Sequence, residues 1–345
     1  MLILWIVFIL LSILIFVSGA TLSKTADKIA IKTGIGGLWI GALTLPLITS
    51  IPEVVVGIRA ASIEAVDLAM GNLFGSNMLN LSIIIFIDFF SGKKQLSRSL
   101  QQGHILTSGL YIVMVGVALL GMSLEWIPSI GFIGVESIII ALIYISTIRF
   151  ISRDQKRRNN ESLIHENIQE VVHNENDTTT KNNYKVDLKR VSKKDILIFV
   201  SSAIVAILAS RGLADTGNLI AIETGLKESL FGSIFIAIST TLPEIVIIIS
   251  AARIGAVDMA VGNILGANLL NIGLIFLVDL FYLQGPLLLS ASKTHLISGI
   301  ITVVMTAILI IGVTYRSQRN IFGIGLDTVF ILLMYCVGLI NIIVS

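Results

Sequence analysis

Residues 49–90 and 240–281 carry one phrase written twice. "TSIPEVVVGIRAASIEAVDLAMGNLFGSNMLNLSIIIFIDFF" lies without a gap on "TTLPEIVIIISAARIGAVDMAVGNILGANLLNIGLIFLVDLF", an offset of 191, with 21 of 42 positions identical. The match reaches upstream, where "TADKIAIKTG" meets "TGNLIAIETG". A shared apolar composition makes Ile and Leu coincide by accident. It does not set Pro52 on Pro243, Glu53 on Glu244, Asn72 on Asn263, Asn77 on Asn268 and Asn80 on Asn271. Whatever one half folds into, the other must fold into as well.

Composition says in which solvent. Only 13% of the 345 residues are charged and 55% are hydrophobic, where a soluble domain carries about a quarter charged residues. Apolar runs long enough to cross a bilayer can be drawn at about 2–20, 35–58, 66–90, 104–122, 128–150, 195–212, 228–250, 257–283, 294–313 and 321–344. The first, "MLILWIVFILLSILIFV", has no basic flank or small-residue cleavage site and reads as a retained span. The chain divides into a first five-helix half (1–150, its repeat core about 44–90), a polar linker (151–194) and a second five-helix half (195–345, core about 235–281). The linker, rich in Asn, Lys and Glu, reads as flexible. The predicted fold class is therefore an all-α membrane protein of ten transmembrane helices.

Orientation follows from Lys and Arg. With the linker and alternate loops in the cytoplasm, 20 of the 24 basic residues fall inside, leaving Arg59, Arg211, Lys227 and Lys293 outside. This predicts an integral plasma-membrane protein with both termini outside. Five spans per copy is an odd number, so the second copy enters the membrane the opposite way up. Inverted repeats of this kind build transporters whose site lies near the midplane, between the repeats.

The repeated polar residues supply the chemistry. A carboxylate at the bilayer centre costs roughly 2.5–3.5 kcal/mol on insertion scales, and an intramembrane proline frees a carbonyl of the preceding turn. Each copy nonetheless has a carboxylate (Glu53, Glu244) beside a proline (Pro52, Pro243), hydroxyls (Thr49 and Ser50; Thr240 and Thr241) and amides (Asn77 and Asn80; Asn268 and Asn271). Oxygen ligands without His or Cys suit hard cations, Ca²⁺ taking about six to eight of them. Two carboxylates neutralise one Ca²⁺ or two Na⁺. Ions competing for one such pair exchange rather than travel together, and protons can compete in the same way. Gly71 and Gly75, like Gly262 and Gly266, stand at i, i+4, a spacing that lets another helix come close. Ser76 adds a hydroxyl that its counterpart Ala267 lacks.

Other polar residues read as structural. Asp67/Asp258 and Asp88/Asp279 fall at span ends and suit capping. His104 and His295 suit interfacial anchoring. Glu136 and Asp327 are taken as end-of-span residues without repeat counterparts, and the sequons at Asn160 and Asn176 as chance. The lone Cys336 leaves no disulfide framework. No HExxH or paired-aspartate protease motif is present, so no enzyme is expected. No cofactor, nucleic acid or obligate protein partner is implied either; the partners are ions and lipid.

With these residues in view the chain resembles the calcium/cation antiporter superfamily, in particular prokaryotic sodium/calcium exchangers. The resemblance spans all ten segments and centres on "TSIPE…GNLFGSNMLN" and "TTLPE…GNILGANLLN". It implies a ten-helix exchanger with four ion sites at the repeat interface. Glu53 and Glu244 would be central Ca²⁺ ligands with the carbonyls of Thr49 and Thr240. Ser50, Ser76 and the Pro46 carbonyl would join Glu53 at one flanking Na⁺ site. Thr241 and the Ala237 carbonyl would join Glu244 at the other, and Asn80 and Asn271 would line the middle. Asn72, Asn263, Asn77, Asn268, the four glycines and the two prolines would support them, while the first and sixth helices slide past the core.

The chain departs from that pattern at Ile48 and Ser239, where Gly is usual, at Ala267, and at Asn271, where many relatives have Asp. The lower charge speaks against a K⁺ requirement. The expected function is Ca²⁺ export against Na⁺, with H⁺/Ca²⁺ exchange as the alternative and a cation channel third.

Overall fold

The computed structural model describes residues 1–33, 45–91, 102–124, 126, 128–150, 192–253, 257–315, 320–321 and 324–344. The expected linker falls outside them as far as residue 191, as do residues 35–44 of the second expected span. The described chain is helical apart from two short hairpins. In the first half come α1 (Leu2–Thr33), α2 (Leu45–Thr49), α3 (Ile51–Ser62), α4 (Val66–Ser82), α5 (Ile84–Ser91) and α6 (Gln102–Ser123). The hairpin β1 (Ser129–Ile130) and β2 (Ile133–Gly134) follows, and then α7 over 135–150. The second half has α8 (Lys193–Thr224), α9 (Glu228–Phe231), a π-helical turn (Gly232–Ile236), α10 (Ala237–Arg253) and α11 (Val257–Asp279). It ends with α12 (Leu287–Ser290), α13 (Thr294–Tyr315), the hairpin β3 (Asn320–Ile321) and β4 (Ile324–Gly325), and α14 (Leu326–Val344).

Bounds repeat with the sequence. α1 and α8 differ by 191 at both ends, α4 and α11 at their starts, and the hairpins residue for residue: Ser129 pairs Gly134 as Asn320 pairs Gly325. Among the described residues eight helical stretches are long and apolar enough to cross a membrane. α3 and α7 are not among them, since each adjoins an undescribed segment or a break. This is a multi-pass membrane protein of all-α class.

Burial sorts the helices into layers. The window of Val66–Phe89 is 83% buried and that of Met259–Asp279 72%, against 22% for Leu2–Leu22. α4 and α11 therefore form the centre. Their sequences show why: Gly71 and Gly75 let the backbone of α4 meet another backbone. A Cβ on Gly71 would lie 2.9 Å from the Ser229 carbonyl oxygen, and one on Gly75 would run into the backbone of Ser233. A Cβ on Gly262 would stand 3.6 Å from His104, an ordinary contact. α1 packs along α8 at the periphery, and α8 packs on α3. There Arg59 of α3 pairs with Asp215 of α8 at 2.5 Å, both side chains about a third exposed. The repeat counterparts of these two residues are Ser250 and Lys24, so the second half has no matching pair.

The span-end residues take definite roles. Asp279 accepts the N–H of Gly134 at 3.0 Å and of Leu287 at 2.8 Å, and Asp88 accepts the N–H of Gly325 at 2.6 Å and the hydroxyl of Thr328 at 3.2 Å. Capping is thus what they do, and each closes the hairpin of the other half. Glu136 and Asp327 do correspond, contrary to the sequence reading. They stand 191 apart, one residue into α7 and α14, beside the glycines that end the hairpins. His295 is not an interfacial anchor: it is 0% exposed, pairs with Asp67 at 3.1 Å and stacks on Phe74. The side chain of Asp258 lies outside the described residues.

Candidate cation site

Proline sets the local geometry in both halves and does so differently. In the first, the helix breaks at Ser50 (φ −86°, ψ 11°), and α3 restarts with Pro52 in its first turn, where a missing N–H costs nothing. In the second, Pro243 sits inside the continuous α10, so the Ser239 carbonyl four residues back loses its helical donor. The π-helical turn just upstream, Gly232–Ile236, further loosens the helix that delivers Thr240, Thr241 and Glu244.

The polar residues singled out in the sequence come together in the centre of the protein. Glu53, Ser50, Ser76, Asn77, Asn80, Thr240, Thr241, Glu244, Asn268 and Asn271 are all 0% exposed, and Thr49, Asn72 and Asn263 are buried. Glu53 and Glu244 lie close enough to interact electrostatically. Their surroundings differ. Glu244 accepts the hydroxyl of Ser50 at 2.8 Å and of Thr49 at 3.4 Å on Oε1, and the amide of Asn80 at 3.0 Å on Oε2. All three donors come from the first half.

Glu53, among the described residues, has no hydrogen-bond donor on either oxygen. The hydroxyl of Thr240, which lies near Glu53, is engaged with Asn72 Oδ1 at 3.0 Å and with the Ile236 and Ala237 carbonyls. Thr241 donates to Ser76 at 3.0 Å, joining two hydroxyls that the resemblance assigned to different flanking sites. Ser50, grouped with Glu53 by the same reasoning, hydrogen-bonds Glu244 instead. The backbone oxygens behave symmetrically: the Pro46 carbonyl takes the hydroxyl of Thr49 at 3.1 Å and the Ala237 carbonyl that of Thr240 at 3.3 Å.

Three of the amides share one pattern. Asn80, Asn268 and Asn271 each give an N–H to a protein acceptor, and each keeps a buried carbonyl oxygen without a donor. With the two oxygens of Glu53 that makes five buried acceptors lacking a partner among the described residues. Asn263 is unpartnered at both side-chain atoms among the described residues. An unpaired buried acceptor costs about 1–3 kcal/mol, more when charged, and a hard cation is the partner that acceptors alone can satisfy. Sequence reasoning missed Ser12, whose hydroxyl meets Ser239 at 2.9 Å and ties α1 to the site-bearing α10. Its counterpart Ala203 has no hydroxyl, so the repeat gave no sign of it.

Fold and site together define a polytopic helical membrane protein with carboxylates, hydroxyls and amides buried between its central helices. The chain belongs to the sodium/calcium exchanger protein family, whose model matches residues 3–152 and 194–342, and thereby to the calcium/cation antiporter superfamily. It is similar to the inner membrane protein YrbG of Escherichia coli K12, 27% identical over 267 residues, which are 76% of this chain and 75% of that one. It is also similar to the sodium/calcium exchanger MaX1 of Methanosarcina acetivorans, 24% identical over 295 residues, 79% of this chain and 82% of that one. The fold matches a solved structure of the sodium-calcium exchanger NCX_Mj soaked with Na⁺ and Sr²⁺, with a TM-score of 0.61, 18% identity and 98% of each chain covered. It also matches native YfkE, with a TM-score of 0.65, 17% identity, and 98% and 92% covered.

Proposed function

We propose that this protein is a secondary antiporter that exports Ca²⁺ in exchange for Na⁺, independently of K⁺. In this reading ten helices form two inverted five-helix repeats joined by a cytoplasmic linker, with both termini outside. Glu53 and Glu244 take the Ca²⁺ between them, assisted by the carbonyls of Thr49 and Thr240 and by Asn80 and Asn271. Ser50, Ser76, Thr241 and the Pro46 and Ala237 carbonyls serve the flanking Na⁺ positions. The observation that carries the reading is the set of five donor-less buried oxygens on Glu53, Asn80, Asn268 and Asn271.

The mechanism follows from charge. Two carboxylates balance one Ca²⁺ or two Na⁺, so occupancy by either leaves the centre near neutral, and a neutral centre can cross from one face to the other. An empty pair is left with like charges opposed in a low-dielectric interior. Motion without an ion is thus disfavoured and exchange is coupled. Membership of the sodium/calcium exchanger family and the MaX1 relative support Na⁺ as the counter-ion. One observation favours a proton instead: Ala267, the buried repeat counterpart of Ser76, removes a hydroxyl from the second half.

Everted vesicles loaded with Na⁺, K⁺, Li⁺ or acid test both readings through ⁴⁵Ca²⁺ uptake. Uptake on the Na⁺ gradient alone is the expected result. Uptake that needs only the pH gradient moves the assignment to H⁺/Ca²⁺ exchange, and uptake with no counter-ion dependence makes the protein a channel.

A further inference from the structure

Three amides meet where α4 passes α11, and Asn77 serves both of the others. Its side-chain oxygen accepts an N–H of Asn271 at 3.0 Å, and its backbone carbonyl accepts one of Asn268 at 3.2 Å. Asn77 and Asn268 are repeat counterparts, yet the bonding is not mirrored: the amide nitrogen of Asn77 has no partner among the described residues. Mirror symmetry would have Asn271 donate to Glu53, as Asn80 donates to Glu244. Asn271 turns to Asn77 instead, and Glu53 keeps both oxygens uncommitted.

An asparagine beside a cation site is a two-ended ligand. Its oxygen attracts the ion and its amino group repels it, and a half-turn of the side chain exchanges the two. What fixes the turn is whichever neighbour takes the N–H. We infer that Asn77 is a positioning residue for the cation: by taking the N–H of Asn271 it holds that amide's oxygen toward the ion shared with Glu53. The inference rests on the proposed reading of Glu53 and Asn271 as cation ligands. Without the Asn77 side-chain oxygen, the amino group of Asn271 is free to donate to the Glu53 carboxylate, a charge-assisted bond. The incoming cation must then displace that internal donor. Asn268 remains held, because its acceptor is the backbone of Asn77.

Ca²⁺ uptake in everted vesicles, driven by whichever cation gradient supports it in the wild type, tests the idea. Asn77→Ala is expected to raise the KM for Ca²⁺ by about tenfold or more, the scale of one charge-assisted bond to be displaced, with the maximal rate lowered less than about threefold. Asn77→Ser, too short to reach Asn271, serves if the Ala variant does not assemble. The deciding step is Asn271→Asp, whose two oxygens leave no amide to orient. Against that variant's own baseline, adding Asn77→Ala should change KM by less than about twofold. A KM unchanged by Asn77→Ala alone, or a rise just as large in the Asn271→Asp background, overturns the positioning role while leaving Ca²⁺ transport standing. Wild-type vesicles that take up no Ca²⁺ under any gradient overturn the cation reading itself, and the role of Asn77 falls with it.

Discussion

Replacing each carboxylate in turn by its neutral isostere separates two contributions that the structure assigns unequally. Glu244 receives two short bonds, from Ser50 at 2.8 Å and Asn80 at 3.0 Å, and a long one from Thr49 at 3.4 Å. Turning a charge-assisted bond (about 1.5–3 kcal/mol) into a neutral one (about 0.5–1.5 kcal/mol) loses about 1 kcal/mol. Glu244→Gln therefore gives up about 2 kcal/mol of ion-free stability, the sum over its two short bonds, set against the relief of its opposition to Glu53. Glu53 has no donor to lose among the described residues and the same opposition to relieve, so Glu53→Gln should be more stable without ion than Glu244→Gln by about that 2 kcal/mol. With Ca²⁺ the two variants converge. At a hundredfold excess over Kd a ligand adds about 2.7 kcal/mol to the native state; both variants should lose that gain and the flux with it. Thermal unfolding in detergent, with and without CaCl₂, reads all four numbers. A Glu53→Gln protein as destabilised without ion as Glu244→Gln, or one whose Ca²⁺-induced shift survives, refutes the reasoning.

Other outcomes follow from single contacts. Asp279→Ala strands the buried N–H groups of Gly134 and Leu287 and should cost about 2–4 kcal/mol, seen as a lowered Tm in the same detergent assay. Gly75→Ala places a methyl against the Ser233 backbone, and about 1–3 kcal/mol of destabilisation is expected; chemical denaturation of the purified protein measures it. The partly exposed Arg59–Asp215 pair should show a coupling energy under about 1 kcal/mol in a double-mutant cycle, however short it is.

Much of the architecture was legible because the chain states it twice. An offset of 191 found in the letters returns in the bounds of α1 and α8 and in the register of both hairpins. Gly71 and Gly75 announced a close backbone approach that α4 makes. Partnership across the halves was harder to read. Periodicity shows which residues correspond, not which ones touch, so the letters group Ser50 with Glu53 although it serves Glu244. Glu136 and Asp327 escaped notice as counterparts because a different acid fills each position. The π-helical turn in "GSIFI" has no marker residue at all. The burial of His295 does have a signal in the letters: a histidine and an aspartate, each mirrored by the repeat, are a candidate pair.

Each hairpin is closed by an acid from the opposite half, Gly134 by Asp279 and Gly325 by Asp88. Neither half is thus a finished object: each carries a hairpin backbone group whose acceptor belongs to its twin. Two separate half-length chains would have to meet to complete one another, as the subunits of a two-fold dimer do. Here the twins are sewn into one chain, so each always has the same companion. That arrangement lets the copies drift apart, one keeping Ser76 and the other Ala267, one breaking its helix at Ser50 and the other running on through Pro243. A dimer of identical subunits would have had to change both places at once.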